Sequence, residues 1–238
     1  MKNLAIMWIL AVAAIGRAAT PPASEVVVLC TLHQLHEETS YYTYADLSTG
    51  IERLHPDMLA VELTPADLKA RAEQKNKREY QNSIYGLLQR HNWTAVALEP
   101  EDPRRSELIG MMREAEGSLR QASPQKDEAF QTYVDVLFKY LLSKWRSPAD
   151  VNASWTDNLF AVKHKFQHSL YGPKEEQGWE GWNQHFLEQI VAAARQNPGK
   201  RIVVIVGAEH GYWLREHLRE QTGVDLLDTE SLLRDVRK

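Results

Sequence analysis

The apolar residues of this chain fall into short runs that are separated by longer amphipathic segments. The clearest run is residues 202–206, where five aliphatic residues are too few for a buried helix and too uniform for a strand with one exposed face. The run therefore predicts a central parallel strand that is covered on both faces. Gly207 allows a sharp turn directly after it, and residues 213–218 then carry apolar side chains at helical spacing. We expect strand, turn and helix in that order, with Glu209 and His210 at the turn.

Three further apolar runs predict strands of the same kind, and polar residues end or follow each of them. The runs are residues 26–29, 58–63 and 94–99, and a shorter run at 224–227 predicts a last strand. Segment 44–55 has its apolar residues on one helical face and stops before Pro56, because the residue before proline disfavours helical backbone. Strands that alternate with helices in this way are typical of a parallel sheet.

A second helix is predicted after the strand at 58–63. Thr64 and Pro65 are a typical N-cap and first-turn pair. The stretch 69–80 that follows is rich in charged helix formers. We therefore expect an exposed helix there, which becomes apolar from Ile84 onward before the next strand.

Residues from about 103 to 198 contain no apolar run of comparable strength, and their apolar side chains recur at helical spacing. Helices are predicted at 108–119, 129–145, 155–170 and 179–195, and a last helix at 229–236. The pattern as a whole predicts an α/β fold, with a mainly parallel central sheet flanked by helices and a helical insertion, about 103–198, before the G-A-E-H strand. We expect residues 20–238 to form a single domain.

The N-terminus differs in composition from the rest of the chain. Lys2 precedes an apolar run at residues 4–15, and small residues follow up to Ala19. This order is typical of a secretory signal peptide, and the run is shorter than the roughly 20 residues that a membrane-spanning helix needs. We therefore predict a signal peptide at 1–19, no integral membrane span after its cleavage, and a secreted or periplasmic protein.

Composition and charge narrow the range of partners. The chain has 238 residues, 43% of them hydrophobic, and mixes 28 basic with 32 acidic residues for a formal net charge of -4. Such a chain can bury a sizeable core, but it has no basic excess for nucleic acid or an anionic membrane. A small-molecule or peptide substrate is expected instead. Cys30 is the only cysteine, so no internal disulfide is expected.

Side chains able to bind a metal or move a proton lie at the ends of all four main strand runs. They are His33 and His36 after the first run, Glu62 and Glu99 at the ends of the next two, and Glu209 and His210 after the fourth. Because the carboxyl ends of parallel strands share one edge of a sheet, the fold should bring these groups together. Imidazoles mixed with carboxylates suit a borderline divalent ion, namely Zn, Mn, Co or Fe, with an open position for water. Such an ion lowers the pKa of bound water to about 7 and makes a nucleophile at neutral pH.

Each of these residues also has a purely structural interpretation. Glu62 is the hardest to explain in that way, because a carboxylate in an apolar strand is rarely buried unless it is paired or bound to a metal. Its structural alternative is an ion pair with Arg104 or Arg105. His210 is alternatively a hydrogen-bonded core histidine, and Glu209 a solvated acid at a helix start.

The remaining candidates are more readily structural. Glu37 and Glu38 are expected to be solvated acids in a first helical turn. His36 is either a residue of that turn or a member of the site. We expect His164, His168 and His185 to be packing or surface residues. Cys30 is expected to be a small, buried apolar residue.

Three motifs together resemble a known family. C-T-L-H at 30–33 and G-A-E-H at 207–210, with P-D-M-L-A-V-E-L at 56–63 between them, are similar to motifs of the TraB/Tiki group. Its superfamily also includes ChaN-like haem-binding lipoproteins and erythromycin esterase-like enzymes. The family pattern has two G-x-x-H motifs and a glutamate at the end of the second strand. The resemblance therefore implies His33, Glu62 and His210 as metal or catalytic groups, and a metal-dependent peptidase or other hydrolase activity.

One departure from the family pattern concerns the first motif. Cys30 stands where the family has glycine. Because a Cβ disfavours positive φ, the turn before His33 is expected to differ from the family's turn.

Our leading hypothesis is a secreted or periplasmic, metal-dependent hydrolase of peptidase or esterase-like type. His33, Glu62 and His210 would hold the ion, and Glu99 or Glu209 would act as general base. The first alternative is a haem or iron carrier like the ChaN branch, with a tyrosine or histidine of this edge as axial ligand and the tryptophan-bearing insertion over the macrocycle. Tyr41, Tyr42 and Tyr44 are the nearby tyrosines. The second alternative is a catalytically inactive family member that binds a partner, for which Cys30 is the only hint.

Overall fold

The computed structural model describes residues 21–234. The predicted signal peptide at 1–19 and the end of the predicted helix at 229–236 lie outside this range. Within it, none of the helices combines the length and the apolar character needed to cross a membrane.

A five-stranded, wholly parallel sheet forms the centre of the molecule. The strands are β1 (Ser24–Thr31), β2 (Met58–Val61), β3 (Thr94–Ala97), β4 (Arg201–Gly207) and β5 (Val224–Leu226), in the spatial order β3-β2-β4-β1-β5. The predicted strands are confirmed, and the run at 202–206 lies in the middle strand of the sheet. The α/β fold class is confirmed with them.

Helices cover both faces of this sheet. They are α1 (Tyr44–Arg53), α2 (Pro65–Ala70), α3 (Tyr85–His91), α4 (Arg104–Ala122), α5 (Pro124–Lys144), α6 (Pro148–Val151), α7 (Ser154–Tyr171), α8 (Pro173–Gln196), α9 (Gly211–Leu218) and α10 (Thr229–Arg234). Thr43 caps α1 in a full capping box, and the predicted Thr64 cap accepts from the Asp67 N–H at the start of α2. The helices predicted between 103 and 198 are confirmed, with the short α6 in addition.

Alternate residues of the central strands face two separate cores, which is why their sequences are apolar throughout. On one face, Val27, Leu59 and Val203 pack with Ile51 of α1 and Leu87 of α3. The other face packs against α8 and α9, with the buried side chains Val28, Ala60, Val204, Ile190 and Leu214. The last helix of the predicted insertion is therefore part of the main core, since α8 lies directly on the sheet.

The exposed helix predicted through 69–80 is wrong. Helix α2 ends at Ala70, and Arg71 adopts a left-handed conformation with φ of 49°. A loop follows, and helical structure resumes with the π-helical turn Tyr80–Ile84, which continues into α3. Lys77 in this loop and Glu79 after it both reach the edge of the sheet, where Lys77 contacts Glu62 and Glu79 contacts His33. These buried contacts override the helix propensity of the stretch.

A buried arginine connects the sheet to the helices on one side of it. The Arg215 guanidinium of α9 donates to Asp157 of α7, at 2.5 and 2.7 Å, to the Val28 carbonyl at 2.8 Å and to Asn152 Oδ1 at 2.9 Å. The same Asn152 oxygen accepts from the Cys30 N–H at 2.8 Å. The Arg215 side chain thus fixes the positions of β1, α7 and α9 relative to one another.

Replacing this arginine should destabilise the fold. In Arg215→Leu, Asp157 is left without its partner, so we expect the free energy of unfolding to fall by about 3–5 kcal/mol. The exposed Arg195→Leu is the control and should change stability by less than about 0.5 kcal/mol. Urea unfolding of the three proteins measures the difference, and equal stability of the two variants would contradict this role for Arg215.

Candidate active site

The carboxyl ends of β1, β2 and β4 meet at one edge of the sheet and bring three predicted site residues together. Glu62 directly follows β2, and its Oε2 accepts from the Gly207 N–H at the end of β4, at 2.7 Å. His33 Nε2 lies 3.9 Å from the same oxygen, and His210 Nε2 lies 3.9 Å from Glu62 Oε1. The expected convergence of His33, Glu62 and His210 is therefore what the structure shows.

Glu62 is a buried carboxylate with a cation beside it. Its Oε1 lies 2.9 Å from the Lys77 ammonium. Burial alone would raise the pKa of Glu62, but the charges of Lys77 and the two histidines and the Gly207 N–H lower it to about 2. Glu62 is consequently ionised, and its suggested pairing with Arg104 or Arg105 is wrong because Lys77 takes that place.

The Lys77 ammonium also joins Glu62 to Glu99. It donates to the Glu62 carbonyl oxygen at 2.9 Å and pairs with Glu99 Oε1. The other Glu99 oxygen lies 3.6 Å from Arg105 Nε. Burial lowers the pKa of Lys77, but the two carboxylates outweigh it and leave that pKa above its usual value. Lys77 is thus a charged lysine with three acceptors.

His33 is held by a second buried carboxylate. It starts a 3-10 turn, His33–Glu37, with a left-handed φ of 51°. Its Nδ1 lies 2.7 Å from Glu79 Oε1, which also accepts from the Thr31 hydroxyl at 2.9 Å. Burial lowers the pKa of His33, but the hydrogen bond to Glu79 and the Glu62 charge raise it above its ordinary value.

His210 is held by a neutral partner and by aromatic rings. Its Nδ1 lies 2.8 Å from Asn183 Oδ1, and its ring stacks on Trp179 with centroids 4.7 Å apart. Burial lowers the pKa of His210 to about 4, although Glu62 and Glu209 oppose that shift. His210 is therefore an uncharged imidazole at neutral pH.

Glu209 belongs to a separate ion-pair group in which α7 takes part. Its Oε2 lies 2.8 Å from Lys163 Nζ and 3.1 Å from His164 Nε2. Burial raises the pKa of Glu209, but Lys163 and His164 together hold it well below its usual range. His164 is buried and stacks on Trp179 with centroids 4.0 Å apart, so it supports the site from the packing position that we expected.

A cavity of about 250 Å³ opens beside these groups. Polar walls come from His33, Glu209 and His210. Apolar walls come from Leu35, Phe138 and Trp179. The cavity is thus small, and it combines imidazole and carboxylate groups with apolar, partly aromatic surface.

The other histidine and the tyrosines near the first motif have structural partners. His36 is buried, accepts from the Leu32 N–H at 3.1 Å and donates from Nδ1 to the Tyr42 carbonyl at 2.6 Å. Tyr42 is buried and donates to the Cys30 carbonyl at 2.9 Å, and the Tyr41 hydroxyl donates to the Leu142 carbonyl at 3.2 Å. Tyr44 donates to Glu37 at the surface, at 3.3 Å.

Cys30 is not at a position that requires a positive φ. It lies inside β1, and the residue with positive φ is His33 itself. Its sulfur lies 3.4 Å from Arg215 Nη2, and burial raises the pKa of the thiol to about 11 in spite of that contact. Cys30 is therefore a buried, protonated thiol, as expected of a small apolar residue.

Five further residues of this cluster were not predicted, namely Lys77, Glu79, Lys163, His164 and Asn183. Nothing in the hydrophobic pattern marks them, because a charged stretch of helix formers looks the same whether it is solvated or folded over a site. A lysine and a histidine adjacent in an amphipathic helix likewise have an ordinary surface pattern.

Comparison of the chain with protein-family models, with curated proteins and with solved structures finds no match. The fold and the cluster therefore define the molecule as an α/β protein with a His/Glu site at the carboxyl edge of its sheet. Its resemblance to the TraB/Tiki group stays a prediction that rests on the three motifs.

The donor atoms of the cluster are of the right chemical type for a metal ion, but they are too far apart to bind one as they stand. Asn183 donates from Nδ2 to the Trp179 carbonyl at 2.9 Å, so its Oδ1 faces His210 Nδ1 and must accept a hydrogen bond from the Nδ1–H. Glu79 likewise accepts from His33 Nδ1, which leaves both Nε2 lone pairs on the side of Glu62. Within residues 21–234, however, no group of three or more His, Cys, Asp or Glu side chains is arranged to hold a metal ion as it stands. Binding requires the Nε2 and carboxylate atoms to draw closer than 3.9 Å.

The depressed pKa of His210 predicts a pH dependence of stability. In the unfolded chain His210 becomes protonated below about pH 6.5, whereas in the folded protein it stays neutral down to about pH 4. Between these two pH values the unfolded state binds more protons than the folded state, so stability falls as the pH falls. In the presence of a chelator, the wild type should lose on the order of 3 kcal/mol more than His210→Gln between these limits. Urea unfolding at a series of pH values measures this, and a constant difference between the two proteins would contradict it.

Gly207 is expected to be essential to the position of His33. A Cβ at Gly207 would lie 2.5 Å from His33 Nε2, so Gly207→Ala must displace the ring and should cost about 1–3 kcal/mol of stability. Gly117→Ala on α4 is the matched control, since nothing lies within 4 Å of its Cβ, and it should stabilise the helix by about 0.5–1 kcal/mol. Melting curves and the His33 NMR signals of both variants test this; an unmoved His33 in Gly207→Ala would disprove it.

Proposed function

We propose that the protein is a hydrolase whose site holds a divalent metal ion, Zn, Mn, Co or Fe, on His33, Glu62 and His210. The observation that supports this most is the position of two imidazole Nε2 atoms on either side of one ionised carboxylate, each 3.9 Å from a Glu62 oxygen. Two imidazoles and one carboxylate are a common ligand set for catalytic metals.

The supporting contacts of the two histidines favour the same function. Metal-binding histidines usually donate their other ring N–H to a carboxylate or carbonyl oxygen, which fixes the tautomer. His33 has Glu79 in this position, and His210 has Asn183. Both partners are buried, so they hold the rings without competition from water.

The charges around the cavity also favour one more cation. Four carboxylates, Glu62, Glu79, Glu99 and Glu209, accompany the three cations Lys77, Lys163 and Arg105. When His33 loses the proton that its raised pKa favours, as it must in order to bind a metal, the group has a formal charge of -1. An additional cation therefore relieves repulsion between buried carboxylates.

The proposed reaction is hydrolysis of an ester or amide bond. When bound, the metal supplies a Lewis acid and an activated water. Of the two candidate bases, Glu209 lines the cavity, where the Lys163 ammonium donates to its Oε2 at 2.8 Å and keeps it ionised. Glu99 is turned to Lys77 and Arg105, so we assign it to holding Lys77 in place.

The proposed substrate is a small molecule or a short peptide segment. The cavity of about 250 Å³ is below the 300–1,000 Å³ range typical of drug-sized ligands, and Leu35, Phe138 and Trp179 give it an apolar wall. These side chains would exclude water from the reacting bond. The proposed secreted or periplasmic location rests on residues 1–19, outside the described range.

A metal-free hydrolase is the second candidate, and Lys77 is the observation that favours it. The ammonium already compensates Glu62 at 2.9 Å, as a metal would. In that case His33 Nε2 would accept the proton of the attacking water. A haem carrier with a tyrosine ligand has less support, because Tyr41, Tyr42 and Tyr44 are not among the residues that line the cavity.

Metal dependence and Glu62 can be tested together. We expect the purified protein to hydrolyse members of a panel of small esters and short peptides, to lose this activity in chelator and to regain it with one of the four metals. Glu62→Gln should weaken metal binding or activity by about 10–100-fold. Because it also breaks the buried pair with Lys77, it should lower the free energy of unfolding in chelator by about 3–5 kcal/mol. Glu37→Gln, an exposed carboxylate paired with Arg78, is the control and should behave as wild type.

Two outcomes of this experiment would go against the proposal. Full activity in chelator, lost in His33→Ala, would favour the metal-free candidate instead. Absence of metal binding by calorimetry, together with no hydrolysis of any substrate, would argue against both candidates.

A further inference from the structure

The backbone of His33 is held in an uncommon conformation. Its φ of 51° lies in the left-handed region, which is unfavourable for a residue that carries a Cβ. Such conformations persist where the surroundings over-determine them, and they concentrate at functional sites. The surroundings here are specific, since the neighbouring Gln34 N–H donates to the Asn76 carbonyl of the loop before Glu79, at 3.0 Å.

The carboxylate that holds His33 is itself fixed in place. Glu79 is 1% exposed, and its Oε1 accepts from both His33 Nδ1, at 2.7 Å, and the Thr31 hydroxyl, at 2.9 Å. Its other oxygen, Oε2, has no hydrogen-bond partner among the described residues. A buried carboxylate oxygen without a partner costs stability, so packing alone does not account for a glutamate at this position.

The space in front of His33 is kept open on the opposite side of the ring. Gly207 has no side chain where a Cβ would lie 2.5 Å from His33 Nε2. The ring is therefore held at Nδ1 by Glu79 and left free at Nε2, on the side of Glu62.

We propose that Glu79 is a positioning residue of the site, which fixes His33 as the Nδ1–H tautomer and presents the Nε2 lone pair to the substrate cavity. A carboxylate only accepts, so the ring nitrogen beside it must carry the proton. The buried Thr31 hydroxyl holds Glu79 in turn. Asn183 does the same for His210, which gives each histidine its own anchor. The use of the Nε2 lone pair as ligand or base rests on the proposed function; the tautomer does not.

NMR spectra of the histidine ring nitrogens test this in the metal-free wild-type protein. At alkaline pH, where the rings are uncharged, His33 should show a protonated Nδ1 and an unprotonated Nε2. Glu79→Met should shift His33 toward the Nε2–H tautomer and leave His210 unchanged. Asn183→Leu is the reciprocal control and should shift His210 alone. Glu79→Gln keeps an acceptor oxygen, so it should retain the tautomer while it weakens zinc binding by about 10-fold.

The outcomes separate this proposal from the proposed function. An Nε2–H tautomer of His33 in the wild type would overturn it without any variant. An unchanged His33 signal in Glu79→Met would also overturn it. If the wild type binds zinc in that case, the proposed function still stands. Tautomers that follow Glu79 in a protein that binds no zinc would support this proposal and contradict the metal site.

Discussion

The buried carboxylate of Glu62 is the constraint around which this edge of the sheet is built. A charge at the end of an apolar strand must be compensated, and a backbone N–H and a lysine ammonium do so here. The Gly207 N–H joins it to the neighbouring strand, Lys77 approaches from the loop after α2, and two imidazoles flank it. Without Lys77, Glu62 and Glu99 would be two buried carboxylates in need of another cation. The loop is therefore as much a part of the site as the strands.

The helices between β3 and β4 complete the site from the other side. Asn183 and Trp179 of α8 hold His210, while Lys163 and His164 of α7 hold Glu209. Because α8 also packs on the sheet, its side chains are placed with the precision of the core. The two motifs at the strand ends thus receive their anchors from elements that are distant in the sequence.

Much of this arrangement could be predicted because it follows from local pattern. Continuous aliphatic runs indicate buried parallel strands, and a parallel sheet brings its carboxyl ends together, so the meeting of His33, Glu62 and His210 followed from the strands alone. Lys77 and Glu79 could not be found in this way. Their stretch has the propensity of an exposed helix, and only contacts with residues far away in the chain make it a loop. The partner of Glu62 was misjudged for the same reason.

Zinc binding in a crystal would test the central claim, that this edge of the sheet is a cation site built on Glu62, most directly. Crystals soaked in zinc would be measured on both sides of the zinc absorption edge, for the wild type and for Glu62→Gln. The account predicts an anomalous density peak within bonding distance of His33 Nε2, the Glu62 carboxylate and His210 Nε2 in the wild type. The peak should be absent in the variant. A wild-type crystal without a peak there, with Lys77 still paired to Glu62, would contradict it.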